Sequence, residues 1–279
     1  MEFLQFLFFR HALLGVLFIS IAAAIIGTYI ITRRLVAISG GITHACFGGL
    51  GLGYFLGMNP VLMAGVFAIA SSVGVEWMSR RFSLRSDSAI AVVWAIGMAV
   101  GVLFVFLTPG YVPELNAFLF GNILTITASD IWAFAAYTAV LIAFFACFYR
   151  QIVACAFDAD FACVMGLPVR FVTYAMTVLV AICIVLTIRL VGVMLLMSML
   201  SLPIMAAEVF FHRYRPLLFA SAAISLASSV AGLFLGVYID VPCSALIVLV
   251  MVAIFILAKT AKAILNRTNR TNKANKANI

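Results

Sequence analysis

Long runs of Leu, Ile, Val, Phe, Ala and Gly alternate with short polar clusters along the chain, and the lengths of those runs set the reading. A helix that crosses a bilayer needs about 20 apolar residues. Runs of that order lie at about 12–32, 36–57, 60–78, 89–107, 131–149, 171–188, 191–211, 217–238 and 242–258. In hydrocarbon the backbone polar groups must pair within a helix or around a closed barrel, and these runs far exceed barrel strands. The pattern therefore predicts an all-α polytopic membrane protein of about 8–9 transmembrane helices. One membrane domain covers 1–260, and the polar, basic repeat "NRTNRTNKANKANI" within 261–279 is expected to be a disordered tail.

Composition closes off most alternatives. Hydrophobic residues make up 66% of the 279, charged residues 9%, and mean hydropathy is +1.25. Almost nothing is left for a soluble domain, so an ATPase or a large ligand-binding domain belongs on another chain. The opening "MEFLQFLFFR" lacks a basic n-region and a small-residue cleavage site, and the first run reads as a retained span. The cysteines at 46, 147, 155, 163, 183 and 243 form no C-x-x-C pair and mostly sit in apolar runs, where they serve as small hydrophobes.

Charge adds orientation. With the C-terminus inside, all but Arg10 and Arg189 of the 17 Lys and Arg residues flank the cytoplasmic ends of spans, and the bias survives removal of the tail. The net charge of +8 is then a topology signal directed at membrane lipid, with no nucleic-acid partner implied.

Two hairpins echo each other: "LGYFLGMNPVLMAG" (52–65) and "LFLGVYIDVPCSAL" (233–246) each lead through a turn to a proline expected at the first helical position. The echo suggests two halves of parallel topology. The segment 151–169, "QIVACAFDADFACVMGLPV", is long enough for one or two helices at the inner face. Asp158 and Asp160 are placed to start a helix, and Gly166 with Pro168 to end it. Phe157, Phe161, Val164 and Met165 recur at three- and four-residue spacing, which leaves one apolar face to bury, either in the interface or against a soluble partner.

The order of "GTYIITRRLVAISGGITHACFGGLGLGYFLG", "DSAIAVVWAIGMAVGVLFV", "FLFGNILTIT", "DADFACVMGLPV" and "RLVGVMLLMSMLSLPIMAAE" resembles the membrane permeases of bacterial ABC importers for zinc, manganese and iron(II), over about 15–255. That resemblance implies a type II (vitamin B12 importer-like) architecture in the inner membrane and pairing with a second copy of the chain. A cytoplasmic ATP-binding cassette ATPase dimer and an extracytoplasmic metal-binding protein are its implied partners. No permanent cofactor is implied; a divalent metal is the cargo, zinc first, and ATP is used by the partner subunit. Manganese, iron(II) or a metal chelate are the alternative cargoes. The resemblance also makes Phe157, Asp158, Asp160, Phe161, Gly166, Leu167 and Pro168 the segment that docks into the ATPase, and 118–124 a short helix at the outer mouth.

Related permeases carry Asp and His four residues apart in the second span, neighbours on one helical face that contact the passing ion. This chain has His44 but Gly40 in place of the aspartate. His44 lies about 12 Å into its span at about 1.5 Å per residue, a depth at which an imidazole is a functional candidate. The bland alternative is a neutral ring bonded to a carbonyl on the preceding turn. Glu208 is a candidate replacement carboxylate, with a salt bridge to Arg213 as the rival reading. Ser39, Thr43 and Cys46 either line the path or permit close helix packing. His11 and His212 read as interfacial, Asp87 as the cap of the fourth span, and Glu114 and Asp240 as solvated loop charge. Met194, Met197, Met199 and Met205 read as packing. An intramembrane enzyme is disfavoured: the sequence has no H-E-x-x-H, no G-x-S-x-G and no pair of intramembrane acids.

Overall fold

The computed structural model describes residues 6–109, 121 and 123–277, with the side chains of 124 and 267–277 excepted. Its elements are α1 (Leu7–Thr32), α2 (Val36–Phe55), α3 (Pro60–Arg81), α4 (Ser86–Leu107), a 3-10 turn at Ile123–Thr125, α5 (Ala128–Cys147), α6 (Tyr149–Phe157), α7 (Ala159–Val164), α8 (Val169–Glu208), α9 (Tyr214–Ile239) and α10 (Cys243–Ala277). Among the described residues, 8 helices are long and apolar enough to cross a membrane. The expected all-helical membrane fold is thus the observed one.

The runs predicted at 171–188 and 191–211 are joined in α8, which has 40 residues. A straight helix of that length would extend about 60 Å, twice the ~30 Å of a hydrocarbon core. Instead α8 breaks at Gly192, whose φ of 75° and ψ of 172° fall in a region that only glycine enters without strain. The first arm is 169–191 and the second 193–208. Ala159, in the short helix α7 that leads into the first arm, and Glu208, at the end of the second, line the same cavity beside Cys155 and Phe157. The chain therefore doubles back at Gly192, and the two predicted runs survive as two passages of one continuous element.

The apex of this hairpin is held tightly. Gly121, itself at φ 58°, lies so close to Val191 and Gly192 that a Cβ on it would collide with their backbone. Arg189 Nη1 pairs with Asp130 Oδ1 at 3.3 Å, and Asp130 and Thr127 form a capping box that satisfies the start of α5. His11 at the same end of α1 has Nδ1 3.3 Å from the Ile126 carbonyl. The opposite end of the bundle gathers Arg33, Arg34, His212, Lys259 and Lys262 around two cavities. Positive charge is thus sorted to one end, as the sequence pattern required.

α1 and α8 occupy the centre, where Ile19, Ile26, Ile184, Leu195 and Leu196 are fully buried. α2 packs by its glycines. Gly41, Gly48 and Gly51 meet α4 at Ile90, Gly97 and Gly101, and a Cβ on Gly48 would stand 2.8 Å from the Gly97 oxygen. In lipid there is no hydrophobic drive between helices, so close backbone approach and dispersion hold such pairs. The outward faces of α3, α4 and α5 carry Leu62, Val66, Val102, Leu103, Phe106 and Val140, a surface suited to hydrocarbon.

The two echoing hairpins share more than a turn. Gly49 and Gly53 on α2 press against Met63 and Pro60 of α3, and Gly232 and Gly236 on α9 press against Ile247 and Cys243 of α10. Each outgoing helix thus presents a G-x-x-x-G face to the returning one. Each also closes with a left-handed residue, Gly57 or Asp240, followed by an N–H bond back to Gly53 or Gly236. Asn59 caps α3 through Val61 and Leu62 N–H, with Pro60 in the first turn as expected. Pro242, by contrast, precedes the first helical residue of α10 and only offers its carbonyl to Ala245 and Leu246. Asp87 does not cap α4. Arg85 holds that position, and Asp87 sits exposed in the first turn, 3.9 Å from Arg85, where its charge complements the helix dipole. α10 runs on to Ala277, well past the predicted end of the last span at 258.

Candidate metal path and docking face

The glycine contacts that seat α2 against α4 also set the position of His44. Its ring is half-buried and stacks on Trp94 of α4, centroids 4.6 Å apart and planes within 3°. Stacking uses the face of the imidazole and leaves the in-plane nitrogens at its edge. Among the described residues His44 makes no hydrogen bond, so the bond to the preceding turn is not formed. Ser39 Oγ donates to the Val36 carbonyl at 2.9 Å and Thr43 Oγ1 to the Ser39 carbonyl at 2.5 Å, both one turn back. Ser39, Thr43 and Cys46 are all buried in the packed side of α2. Of the four, only His44 reaches an open surface in the single chain. Gly40, one turn away, is buried, and a Cβ there would meet the terminal methyl of Met197 at 2.8 Å.

Glu208 is not brought to His44. It ends α8 at the basic end, exposed, and lines a cavity of about 880 Å³ with Arg33, Arg34 and His212. A neighbouring cavity of about 490 Å³ adds Lys259 and Lys262, and the Lys262 ammonium donates to the Val209 carbonyl. Val36, the first residue of α2, lines the larger cavity with Glu208, and His44 lies eight residues further along the helix, about 12 Å at about 1.5 Å per residue. The expected bridge to Arg213 is also not made: among the described residues Glu208 has no ion-pair partner, and Arg213 lies beyond a turn, at the start of α9. Among the described residues no group of three or more His, Cys, Asp or Glu is placed to hold a metal.

At the basic end, α6 and α7 form the expected pair of short helices. Asp158 caps α7, its carboxylate accepting from Phe161 N–H at 2.9 Å, and Asp160 follows, exposed, in the first turn. Gly166, at φ 74°, terminates the helix in a Schellman pattern, with Leu167 N–H bonded to the Ala162 carbonyl and Gly166 N–H to that of Cys163. Pro168 then caps α8 with no linker between. Ile152, Cys155 and Ala162 are buried and anchor the pair, while Phe157, Phe161, Val164 and Met165 are 64%, 60%, 86% and 64% exposed. Leu167 departs from the predicted docking set: it is half-buried and packs inward on the core. Burial pushes the Cys155 thiol up, with Arg33 and Arg80 opposing the shift. The predicted outer-mouth helix at 118–124 falls mostly outside the described residues, as does Glu114; Asp240 is exposed in its turn.

Two groups, Trp94 and Glu76, were not singled out in the sequence, and Met197 reads there only as packing. Trp94 becomes a neighbour of His44 only once α4 is laid on α2. Met197 becomes one of Gly40 only once α8 folds back. Glu76 binds Arg80 at 2.6 Å and lies 3.9 Å from Arg33, whose guanidinium donates to Tyr29 Oη at 3.1 Å. The i,i+4 spacing of Glu76 and Arg80 was a readable signal; the link to Arg33 depends on the meeting of α1 and α3.

Residues 5–262 match the ABC 3 transport family. A Chlamydia pneumoniae protein named "Probable metal transport system membrane protein" is 32% identical over 238 residues, covering 83% of this chain and 81% of that one. The manganese transport system membrane protein MntC of Listeria monocytogenes is 27% identical over 255 residues, 91% of each chain. Among solved structures, PsaBC from Streptococcus pneumoniae in complex with Fab superposes with a TM-score of 0.80 at 27% identity, covering 92% of both chains. An inward-facing putative metal-chelate type ABC transporter gives 0.74 at 14% identity over 91% of this chain and 86% of that chain, a likeness of fold. With most of its length matched by one family, the chain belongs to the ABC 3 transport family.

Proposed function

We propose that this chain is the membrane-spanning subunit of an ATP-driven importer for a divalent transition metal, with zinc as the cargo. Two copies form the path, an ATPase dimer docks on α6 and α7 from the cytoplasm, and an extracytoplasmic binding protein delivers the ion at the Gly192 end. The basic end is then cytoplasmic, as the distribution of Lys and Arg favours. The observation that carries this reading is His44: a half-buried imidazole midway along an apolar helix, stacked on Trp94 and without a hydrogen-bond partner among the described residues. Such a ring edge is costly in hydrocarbon and useful beside a passing cation.

Transport follows from alternating access. The ATPases push on the exposed apolar patch of α6 and α7, and Pro168 carries that movement straight into the first arm of α8. His44→Ala should abolish metal accumulation by cells that depend on this importer and leave the assembled complex intact. Unchanged accumulation in that variant would refute the role of His44. Manganese is the second reading, supported by the name of the Listeria relative; metal content of cells with and without the gene, grown in metal-limited medium, separates the two.

A further inference from the structure

The second arm of α8 has an open face, and that face is not made of hydrocarbon alone. Met194 and Met205 are 50% and 37% exposed, Glu208 is exposed, and Met197, Ser198 and Ser201 are half-buried; Leu195, Leu196, Met199, Leu200 and Ile204 are buried on the other side. Positions 194, 197, 198, 201, 205 and 208 recur at three and four residues, a single stripe from the apex to the basic end. The packing role expected of all four methionines in this segment therefore holds for Met199 and, on its buried side, for half-buried Met197, and not for Met194 and Met205. A face turned to lipid gains nothing from serine, and the outward faces of α3, α4 and α5 show what such a surface contains. Ser198 donates to the Met194 carbonyl at 3.0 Å and Ser201 to the Met197 carbonyl at 2.8 Å. With their protons committed, both hydroxyl oxygens keep lone pairs for another partner.

Met197 joins this stripe to His44. Among the described residues outside Gly40's own stretch of helix, its methyl is the one neighbour within 4 Å of the place a Cβ on Gly40 would take. Gly40 and His44 share a side of α2, one turn or about 6 Å apart. A carboxylate at position 40 would need that space, and glycine leaves it to a thioether.

We infer that Met197 contacts the metal in transit, supplying sulfur beside the His44 nitrogen, and that Met194, Ser198, Ser201 and Met205 extend the same path towards Glu208. The inference rests on the metal-import reading and narrows its cargo. Imidazole with thioether suits zinc and softer ions, whereas manganese is better held by carboxylate and water oxygens. With Gly40 in place of an acid, the path discriminates against manganese.

The test uses the complete importer in cells stripped of other uptake systems, with radioactive zinc and manganese as probes. Met197→Leu conserves volume and should lower zinc uptake about tenfold with the complex assembled in normal amount. Gly40→Asp, whose Cβ need displace only a flexible methyl, should shift the manganese to zinc ratio about tenfold towards manganese. Zinc uptake by Met197→Leu equal to that of the unmodified importer would overturn the thioether role while leaving metal import standing. If Met197→Leu fails to assemble, an unchanged ratio in Gly40→Asp overturns it by itself. An unmodified importer that already prefers manganese overturns the selectivity argument, and one that moves neither metal overturns the functional reading beneath it.

Discussion

Truncating Phe161 to Ala separates docking from folding. The side chain is 60% exposed in the chain, and an aromatic ring covers about 200 Å² when fully buried. A partner that covers it removes roughly 120 Å² from water, worth about 3 kcal/mol at about 25 cal/mol per Å². Side-chain ordering at an interface consumes part of this, so the expected loss is about 2–3 kcal/mol, a rise of roughly 30- to 150-fold in the Kd for the ATPase. The assay is titration of purified ATPase onto the detergent-solubilised permease. Thermal unfolding of the permease serves as the control and should change by no more than about 0.5 kcal/mol, as for other surface substitutions. Cys163 is exposed two residues along and Cys155 is buried, its thiol pushed up. Maleimide should therefore label Cys163 and spare Cys155, and bound ATPase should protect Cys163. Unchanged affinity in Phe161→Ala, or unprotected Cys163 in the complex, would refute the assignment of this patch to docking.

Two further substitutions probe the scaffold. Gly192→Ala should cost about 1–3 kcal/mol, because the backbone there occupies a glycine-only region; an unaltered melting temperature in detergent would mean that α8 is not bent as described. Gly49→Ala drives a methyl into the backbone of Met63, whereas Gly74→Ala meets nothing within 4 Å. The first should destabilise by about 1–3 kcal/mol through overpacking and the second should be neutral or stabilise by up to about 1 kcal/mol through helix propensity, an ordering that fluorescence-detected thermal unfolding can check.

Much of this was legible because membrane segments announce themselves by length. Spans, charge sorting, the two hairpins and the cap residues of α7 all depend on local spacing, and Asp158 and Gly166 act where the spacing put them. What failed was either a one-residue decision or a long-range meeting. Asp87 lost the cap to Arg85 because a helix start can slip by two positions at little cost. The union of two runs in α8 hinged on the torsion of Gly192, which spacing does not encode. Glu208 looked like a substitute for an acid at position 40 because both lie in apolar stretches, yet the level of each within the bundle follows from how α2 and α8 are set against one another. For the same reason Trp94 and Met197, the neighbours that give His44 and Gly40 their surroundings, were ordinary residues until the helices were packed.

The bend at Gly192 has a mechanical consequence. Both free ends of the α8 hairpin emerge at the face where the ATPase is proposed to act, and the apex is clamped by Gly121 and by the Asp130 to Arg189 pair. Such an element behaves like tweezers gripped at the tips. The second arm is about 24 Å long at about 1.5 Å per residue, so a swing of about 10° around the fixed apex displaces its far end by about 4 Å, more than the breadth of a bare metal ion, and its near end hardly at all. Amplitude therefore grows with distance from the pivot, and the widest excursion falls at Glu208 while the surroundings of Met194 stay almost still.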